Sequence, residues 1–300
     1  MRVLVTGALG MLGSDLGIVL SGGTSWDLVL TDMRDGVHAN GRSVSVCSIC
    51  EDESLDDVFR ASRPDWVINC AAFTAVDKAQ VSSNAAFEIN AIGPQKLAHA
   101  AKRHGAKLFH ISTDYVFGHG IDPGQKRAPF KEEDKLEPCG IYGHSKRMGE
   151  ELIREVLGDR SCIVRTSWLH GIYGPNFIDT MLRLGPEKKQ LRIVDDQFGS
   201  PTWTVWLSQV IRELISANAS GVFHASSRGN INWLDFAREI FRQANMSVEV
   251  LAQTTQDLNR PAPRPHFSTL DVSKLEHSIG KPCIDWKDSI AGHLKASSSN

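Results

Sequence analysis

The feature that most constrains this chain is a rhythm. Short apolar runs recur at Val3–Thr6, Leu28–Thr31, Val44–Ile49, Trp66–Cys70, Leu108–Ser112 and Cys162–Thr166. Most are β-branched and nearly continuous rather than alternating, the pattern of strands buried on both faces of a parallel sheet. Between them lie helical patterns over Met11–Leu20, Ser54–Ala61, Ala85–His104 and Tyr142–Leu157. Repeated βαβ order predicts an α/β fold, a Rossmann-type doubly wound parallel sheet with right-handed crossovers. After Trp168 the rhythm changes. "GIYGPNFIDTMLRLG" reads as a loop and a helix, "LRIVDDQFGSPTW" as a short strand and a loop, and Trp203–Ala217 and Asn232–Ala244 as helices. The expected division is therefore a sheet domain over 1–167 and a smaller α/β domain over 168–300, with segments of the second able to return to the first and a cleft between them.

Composition narrows the class. The 300 residues are 41% hydrophobic and 23% charged, with a formal net charge of -2. No basic stripe points to nucleic acid, and no apolar run reaches the ~20 residues needed to cross a bilayer. The opening "MRVLVTGALG" is too short and glycine-broken for a signal peptide and reads as a core strand. Six scattered cysteines suit a reducing cytoplasm rather than a disulfide framework. Cys47 and Cys50 form a lone C-x-x-C with no further ligands at metal spacing, so two small apolar side chains are expected there, and no metal is predicted.

The first apolar run continues into "VLVTGALGMLG", which spaces Gly7, Gly10 and Gly13 as G-x-x-G-x-x-G between a strand and a helix. Such a turn lets a diphosphate approach the backbone, and the helix offers free N–H groups there. Asp32 ends the second strand, where a carboxylate would hold an adenosine ribose through its 2′-OH. Arg34, two residues on, would instead meet a 2′-phosphate. The pair leaves NADH and NADPH both open.

"IYGHSK" sets Tyr142 and Lys146 four residues apart, on one face of a helix. A free phenol has a pKa of ~10, and a neighbouring ammonium lowers it. Tyr142 can then serve as a proton donor supported by Lys146. "KLFHISTDYVFGHG" ends the fifth strand with Ser112, Thr113 and Asp114, at the carboxyl edge where open α/β sheets hold ligands. A hydroxyl there can bond a substrate carbonyl.

Together "TGALGMLG", "INCAAFTAVDKA", "ISTDYVFG", "YGHSK", "VRTSW", "DDQFGSPT" and "RPHFSTLD" resemble, in order and over almost the entire chain, the dTDP-4-dehydrorhamnose reductases of the extended short-chain dehydrogenase/reductases. The resemblance implies NADPH- or NADH-dependent reduction of the 4-keto group of dTDP-4-dehydro-β-L-rhamnose. It implies Tyr142 as acid, Lys146 as its support and Thr113 as the group polarising the carbonyl. Gly10, Met11 and Leu12 match the diphosphate turn, and Ala71, Ala72 and Thr74 the stretch lining the cofactor. Thr74 and Val76 match positions beside the sugar, and Asp114, Tyr115 and Trp168 the sugar-nucleotide pocket, with Trp168 suited to stack on thymine. Some relatives are described as metal-bridged dimers, but no clear acidic cluster marks such a site, so the expected state is monomer or homodimer.

Three departures stand out. Ser48 occupies a position where the family has an adenine-contacting aspartate, Phe267 one where it has an asparagine, and five extra residues lie around 119–127. Two alternatives remain: a reductase of another dTDP-4-keto-6-deoxyhexose of talose or streptose type, and a non-catalytic NADP-binding subunit resembling the regulatory subunit of methionine adenosyltransferase.

Overall fold

The computed structural model describes residues 1–123, 128–188 and 190–298. Strand β1 (Arg2–Thr6) leads into α1 (Met11–Gly23), then β2 (Asp27–Asp32), a two-residue β3 (Gly36–Val37), β4 (Ser43–Val46), α2 (Asp52–Ser62) and β5 (Trp66–Asn69). Helices α3 (Val76–Val81), α4 (Ser83–Phe87) and α5 (Gly93–His104) precede β6 (Lys107–Thr113), α6 (Ile141–Leu157) and β7 (Ser161–Thr166). The second half holds β8 (Leu169–His170), α7 (Phe177–Glu187), β9 (Gln190–Val194), β10 (Phe198–Gly199), β11 (Thr202–Trp203), α8 (Thr204–Ser216) and β12 (Gly221–His224). It ends with β13 (Ile231–Asn232), α9 (Trp233–Gln243), β14 (Glu249–Gln253), α10 (Ser273–Ile279) and α11 (Trp286–Ser298).

Eight strands form one sheet in the order β12-β7-β6-β5-β1-β2-β4-β3. All pairs are parallel except the short β3 against β4. The chain winds outward from β1 through β2 and restarts at β5 on its other side. The crevice above β1 and β5 is therefore the topological switch point, where such sheets bind ligands. Alternate residues of the strands enter opposite layers. Val3 and Val5 pack with Leu12, Leu16 and Leu20 of α1 and with Leu207, Ile211 and Leu214 of α8. Leu4, Val67 and Leu108 pack instead with Phe59 of α2, Leu97 and Ala101 of α5 and Ile153 of α6.

Second-half elements also build the first layer system: α8 lies against α1, β12 extends the main sheet beside β7, and α10 adds Leu275 to the same core. A separate core holds Ile178, Leu191, Phe236, Ile240 and Val250 between α7, α9 and the parallel pair β9–β14. An aromatic knot of Phe117, Phe130 and Phe267 lies under the loop after β6. Phe267 is thus a core plug, 4% exposed, behind Ser268. Of the extra residues expected around 119–127, 124–127 lie outside the described residues.

The continuous helix expected over Ala85–His104 differs in its centre. A π-bulge spans Glu88–Ile92 between α4 and α5. Such bulges gather at functional sites, and this one lets the side chain of Asn90 leave the helix for the loop after β5. The C-x-x-C thiols are free, and burial pushes both Cys47 and Cys50 up, away from thiolate reactivity. Among the described residues no helix is long and apolar enough to cross a membrane.

Candidate active site

The site is assembled at the carboxyl edge of β1, β5 and β6. Gly7, at φ 70°, turns the chain straight out of β1. A Cβ there would stand 2.6 Å from the amide nitrogen of Ala71, so the turn can lie against the end of β5 only as glycine. Gly10 donates its N–H to Gly7 O at 3.1 Å and caps α1 without a side chain. The first N–H groups of α1, from Met11 and Leu12 onward, are left without a capping side chain, and the first turn carries no carboxylate to repel a phosphate. The residues present therefore fit a dinucleotide diphosphate, with Ala71 beside the glycine turn.

Asp32 is half-buried at the end of β2. Its Oδ2 accepts from Leu9 N at 2.9 Å and its Oδ1 from Met33 N at 2.8 Å. It braces the phosphate turn while each oxygen keeps a lone pair for a ribose hydroxyl. Arg34 is exposed beyond it. Ser48, where an adenine contact was expected, instead organises its own loop, accepting from Cys50 N and donating its amide to Ser54 Oγ.

Thr113, Asp114 and Tyr115 leave the end of β6 in a tight 3₁₀ turn, where the Thr113 hydroxyl accepts from Tyr115 N at 3.2 Å. Helix α6 crosses directly over this turn. Gly143 makes that approach possible, because a Cβ would fall 2.2 Å from the carbonyl oxygen of Tyr115. Tyr142 comes within hydrogen-bonding reach of Thr113 and lies edge-on to Tyr115, with ring centroids 5.7 Å apart. Burial pushes the Tyr142 phenol up to about 12; the Thr113 hydroxyl pulls it back and the Asp114 charge adds to the rise. Asp114 itself is 2% exposed, and burial pushes it up to about 7 against the hydroxyls of Ser268 and Thr113.

Lys146 differs from the expectation of an ammonium aimed at the phenol. It is 2% exposed, and its Nζ donates to Ile111 O at 2.6 Å and lies 3.2 Å from His110 Nε2. Burial pulls it down to about 8, while Glu150 and Cys70 favour its charged form. Tyr142 is consequently a neutral phenol around neutral pH. That is the protonation state a proton donor needs.

One turn further along α6, Glu150 is fully buried. It accepts from Ser112 Oγ at 2.5 Å and pairs with Arg165 of β7 at 2.8 Å. Removing one partner of such a pair costs roughly 3–5 kcal/mol, so this bond fixes α6 to the strand ends that carry the site.

Other contributors carried no periodic signal. Asn90, turned out of the helix by the π-bulge and fully buried, accepts from Phe73 N at 2.8 Å and donates to Phe73 O and Ser145 Oγ, both at 3.0 Å. It ties the Ala71–Thr74 stretch to the helix of Tyr142 and Lys146. Next to Tyr115 opens a cavity of about 420 Å³, lined among others by Val76, Phe177, Trp233, Arg192, Arg260 and Arg264. Arg264 is bound by Asp77 through two parallel bonds of 3.0 and 2.9 Å, which join the C-terminal segment to α3. Among the described residues, neither Arg192 nor Arg260 forms an ion pair. The arginines of "RPAPRP" are visible in the sequence as a cationic cluster; their convergence with Arg192 is not.

Trp168 sits behind this wall. Its ring stacks on Trp233 with centroids 3.7 Å and planes 13° apart, and it abuts Gly199. Tyr115, Trp233 and Phe177 are the aromatic rings that line the cavity, and one face of Trp168 is covered by Trp233. Thr74 is exposed after β5. The structure thus brings together Gly7–Leu12 with Ala71 and Asp32, and Thr113–Tyr115 with Tyr142 and Lys146. Arg34 stands exposed two residues past Asp32, and Trp168 stands one ring behind the cavity wall, against Trp233. Among the described residues no cluster of three or more metal-ligating side chains occurs.

Comparison with known proteins agrees with this architecture. The family model described as RmlD substrate binding domain matches residues 1–299. A spore coat polysaccharide biosynthesis protein of Bacillus subtilis (strain 168) is 38% identical over 298 residues, 99% of this chain and 98% of its own. A dTDP-4-dehydrorhamnose reductase of Streptomyces griseus is 36% identical over 301 residues, 98% of this chain and 93% of its own. The crystal structure of dTDP-4-dehydrorhamnose reductase from Bacillus anthracis str. Ames, in complex with NADP, superposes with a TM-score of 0.87 at 36% identity, covering 98% of this chain and 99% of that one. With a match along nearly its whole length, the chain belongs to the RmlD substrate binding domain family, the family of the dTDP-4-dehydrorhamnose reductases.

Proposed function

We propose that the protein reduces the 4-keto group of dTDP-4-dehydro-β-L-rhamnose to dTDP-β-L-rhamnose with NADPH or NADH. The observation that carries this reading is the position of Tyr142. A protonated phenol, within reach of Thr113, adjoins through Tyr115 a cavity lined by Arg192, Arg260 and aromatic rings. Arginines suit the diphosphate of a sugar nucleotide, and aromatic rings suit its base. When bound, the nicotinamide cofactor supplies the hydride for the sugar carbonyl carbon.

The residues of this chain do the rest. Gly7 to Leu12 and the N-terminus of α1 hold the diphosphate of the cofactor, and Asp32 accepts from the adenosine ribose. The Thr113 hydroxyl, bonded to Asp114 Oδ1 at 3.1 Å, turns to the substrate carbonyl and polarises it. Tyr142 gives its proton to the oxygen that gains charge. Lys146 keeps N–H capacity for a ribose hydroxyl and for the phenolate left behind. Arg192 and Arg260 anchor the sugar nucleotide.

Titration calorimetry tests the reading. The protein should bind NADPH and, separately, dTDP-rhamnose. Tight NADPH binding with no dTDP-sugar binding would favour the regulatory-subunit alternative instead.

A further inference from the structure

The Thr113 hydroxyl has one proton and more partners than that proton can serve. It accepts from Tyr115 N at 3.2 Å, a main-chain N–H that can only donate. Asp114 Oδ1 lies 3.1 Å away, and Tyr142 stands within hydrogen-bonding reach. One lone pair and one proton remain for these two neighbours and for a substrate carbonyl. Which way the proton points depends on Asp114. A carboxylate only accepts, so an ionised Asp114 takes the Thr113 proton, and the lone pair left over faces the Tyr142 O–H. Both donors are then turned away from a carbonyl. A protonated Asp114 reverses the chain. Ser268 Oγ donates to Asp114 Oδ2 at 2.5 Å, its other acceptor, Phe198 O, being 3.5 Å away. The carboxyl proton therefore belongs on Oδ1, where it is given to Thr113. The Thr113 hydroxyl then accepts twice, and its own proton is free.

We propose that Asp114 is a positioning residue whose proton sets the direction of the Thr113 hydroxyl: protonated, it leaves Thr113 and Tyr142 both free to donate to the substrate carbonyl; ionised, it draws both back.

The surroundings of Asp114 keep the protonated form within reach of neutral pH. The side chain is 2% exposed, and among the described residues no ion pair reaches it. Three titratable groups face it: Tyr115 on its own turn, Cys139 just before α6 and Tyr142 on α6. Burial pushes all three up, so they are neutral at physiological pH. Arg264 of the C-terminal segment acts on Tyr115 and Cys139, and its guanidinium is bound by Asp77. The Ser268 and Thr113 hydroxyls favour the carboxylate, but burial outweighs them and holds Asp114 at about 7. The role of Thr113 rests on the reductase reading; the state of Asp114 does not.

Two measurements on the full-length protein test the proposal. With 13C at the aspartate carboxyls, NMR of the cofactor-free protein should show one resonance, absent in Asp114→Asn, that titrates near pH 7, far from the exposed aspartates. With NADPH and dTDP-4-dehydro-β-L-rhamnose, kcat/KM should fall at least about tenfold between pH 6 and 8, as for a group near 7 that must be protonated. In Asp114→Asn the amide oxygen faces Ser268 and the nitrogen donates to Thr113 at every pH. The fall should shrink to about twofold, the share left to a Lys146 held at about 8. In Ser268→Ala the carboxylate loses a donor, so the resonance midpoint and the kinetic midpoint should both rise by about half a pH unit or more, and Ser268→Thr should restore them. An Asp114 that titrates with the exposed aspartates overturns the proposal. So does a kinetic midpoint that stays at the wild-type value in whichever of Asp114→Asn and Ser268→Ala folds. An Asp114 that titrates near 7 in a protein that turns over no sugar would overturn the reductase reading, and with it the role given to Thr113; the resonance tells the two failures apart.

Discussion

At the scale of single residues, the chemistry rests on protonation states. Tyr142 is a phenol whose proton is held by burial rather than drawn off by a lysine, so it is ready to give that proton to an alkoxide. Tyr142→Phe removes the proton and keeps the ring against Tyr115. The kcat should fall roughly 10²-fold or more, the usual scale for an acid–base group, while the Kd for NADPH changes little. Steady-state kinetics and calorimetry on the variant check both halves; near-normal turnover would remove Tyr142 from the role. The residue types were legible because the phenol, ammonium and hydroxyl sit in fixed short strings. Their orientation was not. Spacing puts Tyr142 and Lys146 on one helix face, but only the fold shows His110 and Ile111 capturing the lysine. Trp168 makes the same point. Its place after β7 is readable in "VRTSW", yet the cover over its ring comes from Trp233, 65 residues later.

Secondary-structure elements were readable to the extent that burial is continuous. The six apolar runs all lie in the main sheet; β1, β5 and β7, covered on both faces, have no polar side to obscure them, whereas β4 exposes Ser43, Ser45 and Val46 and ends at Val46, short of the expected Ile49. Two-residue strands such as β8, β10 and β11 carry no pattern long enough to see. The placement of "GVFH" in the main sheet beside β7 was equally hidden, since a short apolar run does not say which sheet it joins. The π-bulge escaped for a different reason: it answers a tertiary demand, the backbone of Phe73, rather than a local preference. Asn90→Ala should therefore act at a distance. It leaves the Phe73 N–H and C=O without their partner, costing about 1–3 kcal/mol. It should also raise the KM for the nicotinamide cofactor by loosening Ala71–Thr74. Faster hydrogen exchange at the Phe73 amide would report the loosening directly; unchanged exchange would show that the bulge does not hold the loop.

For the whole molecule, buried histidines set the response to acid. His224, beside Arg165 in the interior, is pulled down to about 3, chiefly by burial. His110 and His170 are also held well below the ordinary range by burial. Each stays neutral in the folded protein while the unfolded chain takes up a proton below its ordinary value. Their contribution to stability is complete above pH ~6.5 and is lost as pH falls toward the folded value. Each loses up to about 1.4 kcal/mol per pH unit across that window. Asp114 works the other way: its folded value of about 7 lies above the unfolded one, so its contribution is present at low pH and lost as pH rises through 7. Burial also pushes Asp15 and Glu132 up, in the same sense as Asp114; the histidines, held furthest from their ordinary range, outweigh these carboxyls, and Tm should fall from pH 6.5 to 4.5. A His224→Gln variant should show a shallower fall. A wild-type Tm that is flat or rises over that range would contradict the assignment of these histidines as neutral.

The most direct test of the central claim is turnover itself. Enzymatically prepared dTDP-4-dehydro-β-L-rhamnose is mixed with the protein and NADPH or NADH, the nicotinamide absorbance is followed, and the product is identified by NMR from the coupling of its C4 proton. One reduced cofactor should be consumed per sugar, the product should be dTDP-β-L-rhamnose, and the Tyr142→Phe protein should turn over at least roughly a hundredfold more slowly. Oxidation that yields the C4 epimer would assign the protein to a talose-type reductase. An absorbance that does not change with either cofactor, in a protein that still binds NADPH, would contradict the account.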